Sequence, residues 1–159
     1  MGQSKNTRRS FLKKAAGAAI AVPTIATVPL LGEDAPSNKA TIGFIGTGNN
    51  GTNWMGSFLG DKRTRVVAVC DVNKEGAGYW AGTVRGRDPA IRKVNGHYKD
   101  KGCAGYEDFR ELIGRKDIDS IYIGTPDHWH ALIAVHAAKA KKDIYGQKPL
   151  SLTIAEGRA

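Results

Sequence analysis

Apolar positions in this chain follow two rhythms. From Ala40 onward, short unbroken apolar runs alternate with stretches in which apolar residues recur every three or four positions. The runs are "ATIGFIG" (40–46), "TRVVAVCD" (64–71), "DSIYIGTP" (119–126) and the shorter "DIYGQ" (143–147). They are rich in β-branched residues and end at Gly, Asp or Pro, which predicts strands buried on both sides. Between them, "NGTNWMGSFLG" (50–60) carries Trp54, Met55, Phe58 and Leu59 near one helical face. "YEDFRELIGR" (106–115) predicts a compact helix and "DHWHALIAVHAAKAKK" (127–142) a longer one. A Gly-interrupted helix is expected over 74–84, and a brief extended segment near 103–105. Residues 85–102, with Gly, Pro and many charges, read mostly as loop, and another helix is expected to begin near Thr153. Apolar strands separated by helices predict an α/β domain, a parallel sheet covered on both faces.

The first 37 residues break the pattern. "TRRSFLKKAAGAAIAVPTIATVPLLG" sets the pair Arg8-Arg9 before an Ala-rich run from Ala15 to Leu31, 17 residues interrupted by Pro23 and Pro29. A hydrocarbon core needs roughly 20 apolar residues. A charged start, an apolar middle and small residues near a cut describe an export signal. The twin Arg gives the twin-arginine form, read by a translocase. That places the chain in the periplasm or on the outer face of the cytoplasmic membrane, with cleavage after Ala21, Ala26 or Ala35, or with the segment kept as an anchor. A basic tail before a core helix is the alternative. Residues 1–37 are therefore set aside as signal and linker.

This segment also explains the charge. The net +9 includes Lys5, Arg8, Arg9, Lys13 and Lys14, with no acid among the first 30 residues, which leaves +4 for the rest. The other cations are interspersed with Asp and Glu, without the basic, aromatic-interleaved stripe of a nucleic-acid binder. Two cysteines, Cys70 and Cys103, make no disulfide framework, and Cys70 reads as a small buried hydrophobe.

Three clusters carry chemistry. "GTGNNG" puts Gly46, Gly48 and Gly51 in G-x-G-x-x-G order between a strand and a helix, spanning Thr47, Asn49 and Asn50. The first Gly permits the turn, the second lets backbone approach a pyrophosphate, and the third allows close helix–strand packing. Asp71 ends the next strand 20 residues after Gly51, where a carboxylate accepts from an adenosine ribose. It favours NAD over NADP, while Asn73 and Lys74 leave the preference open. "GTPDHWHA" (124–131) follows the third strand and is also a good helix start. His128 and His130 do not share a helical face and lack a third partner, so no metal is expected; His136 reads as a helix-packing residue. Gln147-Lys148-Pro149 ends the fourth strand. Lys148 there either meets a nicotinamide and a substrate hydroxyl or stands in an ordinary turn; beside a cationic ring its ammonium would deprotonate more readily.

In order, "GFIGTGNNG", "CDVNKE", "YEDFRELI", "DIDSIYIGTPDHWH" and "KDIYGQKPLS" resemble the N-terminal half of the Gfo/Idh/MocA oxidoreductases over residues 40–159. The resemblance implies a Rossmann-like doubly wound sheet binding NAD or NADP over 38–150. It also implies hydride exchange with the hydroxyl-bearing carbon of a sugar or polyol. By carry-over Gly46, Gly48 and Gly51 hold pyrophosphate and Asp71 the ribose. Thr125 and Pro126 line the nicotinamide side with His130 nearby, and Lys148 is the catalytic lysine that orients or deprotonates the hydroxyl. The family's Glu before that lysine is Gln147 here. Members continue into a second α/β domain that closes the substrate pocket and builds the oligomer interface. Residues 151–159 are read as the start of the connection to it, so the chain alone is expected to hold cofactor without turnover. A free-standing dinucleotide-binding module is the alternative.

Overall fold

The computed structural model describes residues 38–77 and 82–158, so the expected export signal lies outside the described residues. In chain order the elements are β1 (Ala40–Ile45), α1 (Asn49–Gly60), β2 (Thr64–Cys70), α2 (Arg87–Tyr98), β3 (Ala104–Tyr106), α3 (Phe109–Ile113), β4 (Ser120–Ile123), α4 (His130–Lys139) and β5 (Asp143–Gly146). Single 3-10 turns cover Asp127–Trp129 and Glu156–Arg158.

The five strands lie in the order β3-β2-β1-β4-β5, and every neighbouring pair is parallel. The chain moves outward from β1 through β2 to β3, then returns to the other side of β1 as β4. Strand order thus reverses between β1 and β4, and ligands of open α/β sheets bind at the carboxyl ends of the strands on either side of such a reversal.

Alternation along the strands, shifted once in β2 where its pairing with β1 skips Val67, sorts the core into two layers. Ile42, Phe44, Val66, Val69 and Tyr122 pack with Met55 and Leu59 of α1 and Ala90 and Val94 of α2. Ile45, Ala68, Cys70, Ile121 and Ile123 pack with Leu112 of α3 and Ile133 and Ala137 of α4. Fully burying a side chain of this size stabilises by about 1.5–3 kcal/mol, so both faces of the sheet contribute. Gly43 falls on the second face, where a Cβ would stand 2.5 Å from Leu112 Cδ2. Cys70 and Cys103 belong to opposite layers, and both are free thiols.

Several expected elements differ. Residues 85–102 are not mostly loop but hold the twelve-residue α2. Asp88 and Pro89 stand in its first turn, Ala90 and Val94 bury one face, and Lys99 ends it in the left-handed conformation at φ 56°. The helix expected over 74–84 is absent among its described residues, where Gly76 instead pairs with Arg85 in an antiparallel bridge. The helix expected over 106–115 shrinks to α3, because Tyr106 joins β3 and Asp108 caps the helix by accepting from the Arg110 N–H. The 127–142 segment opens as a 3-10 turn before α4, and a single turn stands where a helix was expected near Thr153.

Candidate dinucleotide site

A cavity of about 390 Å³ opens at the carboxyl ends of β1, β2 and β4, at the reversal of strand order. Gly46, Gly48, Asn49, Asn50, Asp71, Thr125 and Pro126 line it, together with apolar Phe109 and Trp129.

The glycine loop is shaped by close approach. Gly46 has φ +87°, and a Cβ there would stand 2.6 Å from the Gly124 carbonyl carbon and the Thr125 nitrogen. A Cβ on Gly51 would meet the Gly46 carbonyl oxygen at 1.9 Å. The turn and the first turn of α1 therefore fit only without side chains at these positions. Gly51 packs behind the loop and does not line the cavity.

α1 begins at Gly48 with no side chain capping it and no acid in its first turn. Its first intrahelical bond runs from the Thr52 N–H to the Gly48 oxygen at 3.0 Å. The earlier N–H groups and the positive end of the helix dipole are left for an anion.

Asp71 closes the site on the β2 side. Its Oδ2 accepts from the Thr47 N–H at 2.7 Å and the Thr47 hydroxyl at 3.0 Å, and its Oδ1 accepts from the Asn73 N–H at 2.9 Å. Thr47 is fully buried, so it ties the loop to Asp71 from within and does not face the cavity as expected. Arg87, at the start of α2, donates to the Asp71 carbonyl oxygen at 3.0 Å. Thr125 Oγ1 is buried with no hydrogen-bond partner among the described residues, an orphan in the cavity wall that a ligand's polar group would satisfy. Glycine cradle, uncapped helix and orphaned hydroxyl together fit a dinucleotide.

Two expected residues stand apart. His130 is buried outside the lining, its Nε2 at 2.8 Å from the Thr125 carbonyl oxygen and its Nδ1 at 2.5 Å from that of Pro149. Lys148 is exposed, also outside the lining, and joined to Pro149 by a cis peptide. The Gln147 amide nitrogen donates to the Tyr122 hydroxyl at 3.1 Å. Phe109 and Trp129 were not expected as wall residues. They meet edge to face at 6.4 Å, brought together by the starts of α3 and α4 rather than by proximity in sequence. Among the described residues no three His, Cys, Asp or Glu side chains gather as a metal ion would require.

Comparison with known proteins agrees with this geometry. Residues 40–159 match the model of the oxidoreductase family with an NAD-binding Rossmann fold, Gfo/Idh/MocA. An alpha-N-acetylgalactosaminidase of Tannerella forsythia is 32% identical over 152 residues, covering 86% of this chain and 31% of the relative. A glycosyl hydrolase family 109 protein of Saccharopolyspora erythraea is 31% identical over 115 residues, covering 72% and 24%. The chain thus spans about a third or less of these relatives' length. The myo-inositol dehydrogenase of Lactobacillus casei, solved with NAD(H) and myo-inositol, superposes with a TM-score of 0.60 at 21% identity, covering 76% of this chain and 31% of that one. With the switch-point cavity, the glycine cradle and the family match in agreement, this chain belongs to the Gfo/Idh/MocA oxidoreductase family and forms its NAD(P)-binding Rossmann fold.

Proposed function

We propose that the chain holds the dinucleotide for an exported oxidoreductase that exchanges hydride with the hydroxyl-bearing carbon of a sugar or polyol. The observation that carries the reading is the uncapped start of α1, set at the reversal of strand order behind Gly46 and Gly48. The pyrophosphate lies against the free N–H groups of that turn, the adenosine ribose against Asp71, and the nicotinamide end toward Thr125 and Pro126. When bound, the nicotinamide supplies the hydride donor or acceptor. Lys148 orients the substrate hydroxyl and takes its proton. Asp71 favours NAD, because its carboxylate would repel a 2′-phosphate.

The glycosidase names of the 32% and 31% identical relatives favour a glycoside within the sugar class. Turnover is assigned to a protein of the relatives' length, since a substrate site built from one wall lacks the positioning that catalysis needs. Arg8-Arg9 and the Ala-rich run support export by the twin-arginine route.

The reading is tested by titrating the chain with NADH and following nicotinamide fluorescence. Saturable binding, displaced by NAD, is expected. A folded chain that shows none would refute the dinucleotide assignment.

A further inference from the structure

Lys148 is exposed, yet the residues on either side of it are tied down. On one side, the Gln147 N–H donates to the Ile123 carbonyl at 2.9 Å, and its side-chain amide donates to the Tyr122 hydroxyl at 3.1 Å. Tyr122 is fully buried, stacked on Phe44 at 4.4 Å between ring centres. Its ring edge lies 3.9 Å from where a Cβ of Gly51 would stand. Gln147 is thus anchored to the back of the glycine loop.

On the other side, the Pro149 carbonyl faces Nδ1 of His130, whose Nε2 faces the Thr125 carbonyl. A carbonyl oxygen only accepts, so each contact calls for a ring N–H. The imidazolium carries two, and a neutral ring carries one. The ring is buried beneath both segments and joins the cavity wall at Thr125 to the turn that bears Lys148.

We infer that Gln147 and His130 are positioning residues for Lys148, a pair of ties that fix its backbone to the glycine loop and to the Thr125 wall while its side chain stays free. This rests on the reading of Lys148 proposed above. A glutamate at position 147 would keep the tie, with the Tyr122 O–H donating to the carboxylate. A long flexible side chain reaching from a fixed backbone loses less freedom on meeting its target than one reaching from a mobile turn.

The test uses the whole chain with its lysines reductively methylated with 13C, and the Lys148 signal assigned by its loss in Lys148→Arg. Saturating NAD is expected to move that signal in the wild type. Gln147→Ala and His130→Phe should each keep less than half of the movement, and Gln147→Glu should recover most of it. Thermal melts followed by circular dichroism establish which variants fold; if His130→Phe does not, Gln147→Ala and Gln147→Glu decide. Variants that move as the wild type does would overturn the positioning inference and leave the role of Lys148 standing. A wild-type signal that stays still while NADH fluorescence shows binding would instead overturn the placement of Lys148 at the nicotinamide, and the inference with it.

Discussion

Asp71 Oδ2 accepts both the N–H and the hydroxyl of Thr47, at 2.7 and 3.0 Å, so the carboxylate read as a ribose anchor is also an internal brace of the glycine loop. The two roles separate by mutation. Asp71→Ala removes both, and loss of charged hydrogen bonds worth about 1.5–3 kcal/mol predicts NADH binding weaker by roughly 10- to 150-fold. Thr47→Val keeps the volume and the backbone N–H bond and removes a bond within the loop, not one to the ribose, so NADH binding should weaken by less than about fivefold. NADPH should bind the wild type less tightly than NADH, with the gap narrowing in Asp71→Ala. Fluorescence titrations with both nucleotides check this. Equal losses in Asp71→Ala and Thr47→Val would mean that Asp71 acts through the loop and not on the ribose.

Much of this site was legible because its chemistry is local. Gly46, Gly48 and Asp71 are placed by the ends of two strands, and strand ends follow from apolar runs. Thr125 and Pro126 follow a third such strand, and the family resemblance implies their place in the site. What escaped was set by packing between elements distant in sequence. Phe109 and Trp129 meet only because α3 and α4 cover the same face of the sheet, and His130 finds Pro149 only once β5 lies beside β4. The sequence does carry a signal for α2, but a weak one. Ala90, Ile91, Val94 and Tyr98 recur at helical spacing, with Pro89 in the first turn, but Gly86, Gly96 and five charged residues between Arg85 and Lys93 obscured it.

Gly51→Ala tests the close approach of loop and helix. The new Cβ would stand 1.9 Å from the Gly46 oxygen; that oxygen is backbone directly after β1, and the Cβ is fixed rigidly to the backbone of α1. Neither can swing aside as a side chain would. Overpacking against backbone predicts a loss of about 3 kcal/mol in urea unfolding, with binding of NADH lost along with the loop geometry. Stability within about 0.5 kcal/mol of the wild type would show that the loop is more pliable than its contacts imply.

The two cysteines should be inert while the chain is folded. Burial pushes the Cys70 thiol up to about 12, with Asp71 next to it adding to the effect, and burial likewise pushes Cys103 up to about 12. The thiolate is the reactive form, so at pH 8 little of either is available. Reaction with a chromogenic disulfide reagent is expected to be slow in buffer and complete within minutes in denaturant, releasing two thiols per chain. Rapid native labelling of either would show that its layer of the core opens readily. Oxidation should not join them, since they lie in opposite layers of the core, on either side of the sheet.

Acid should weaken the chain through the carboxylate that joins the starts of β1 and β4. The Thr41 N–H donates to Asp119 Oδ2 at 2.8 Å, and its hydroxyl lies 2.8 Å from the same oxygen. The Thr41 N–H, then its hydroxyl, hold the Asp119 carboxyl below the usual carboxylate range. A depressed folded value means that the folded state favours the ionised form. The stabilisation is complete above the unfolded value of about 3.9 and disappears as pH falls through the lower folded one. Asp117, held low by Arg115, acts in the same direction. Urea midpoints should therefore be level from pH 7 to about 5 and fall below about 4. Asp119→Asn should lower the midpoint at pH 7 and flatten the fall, because the amide has no proton to gain in this range. Parallel profiles for the variant and the wild type would show that the Thr41–Asp119 pair contributes nothing to the acid sensitivity.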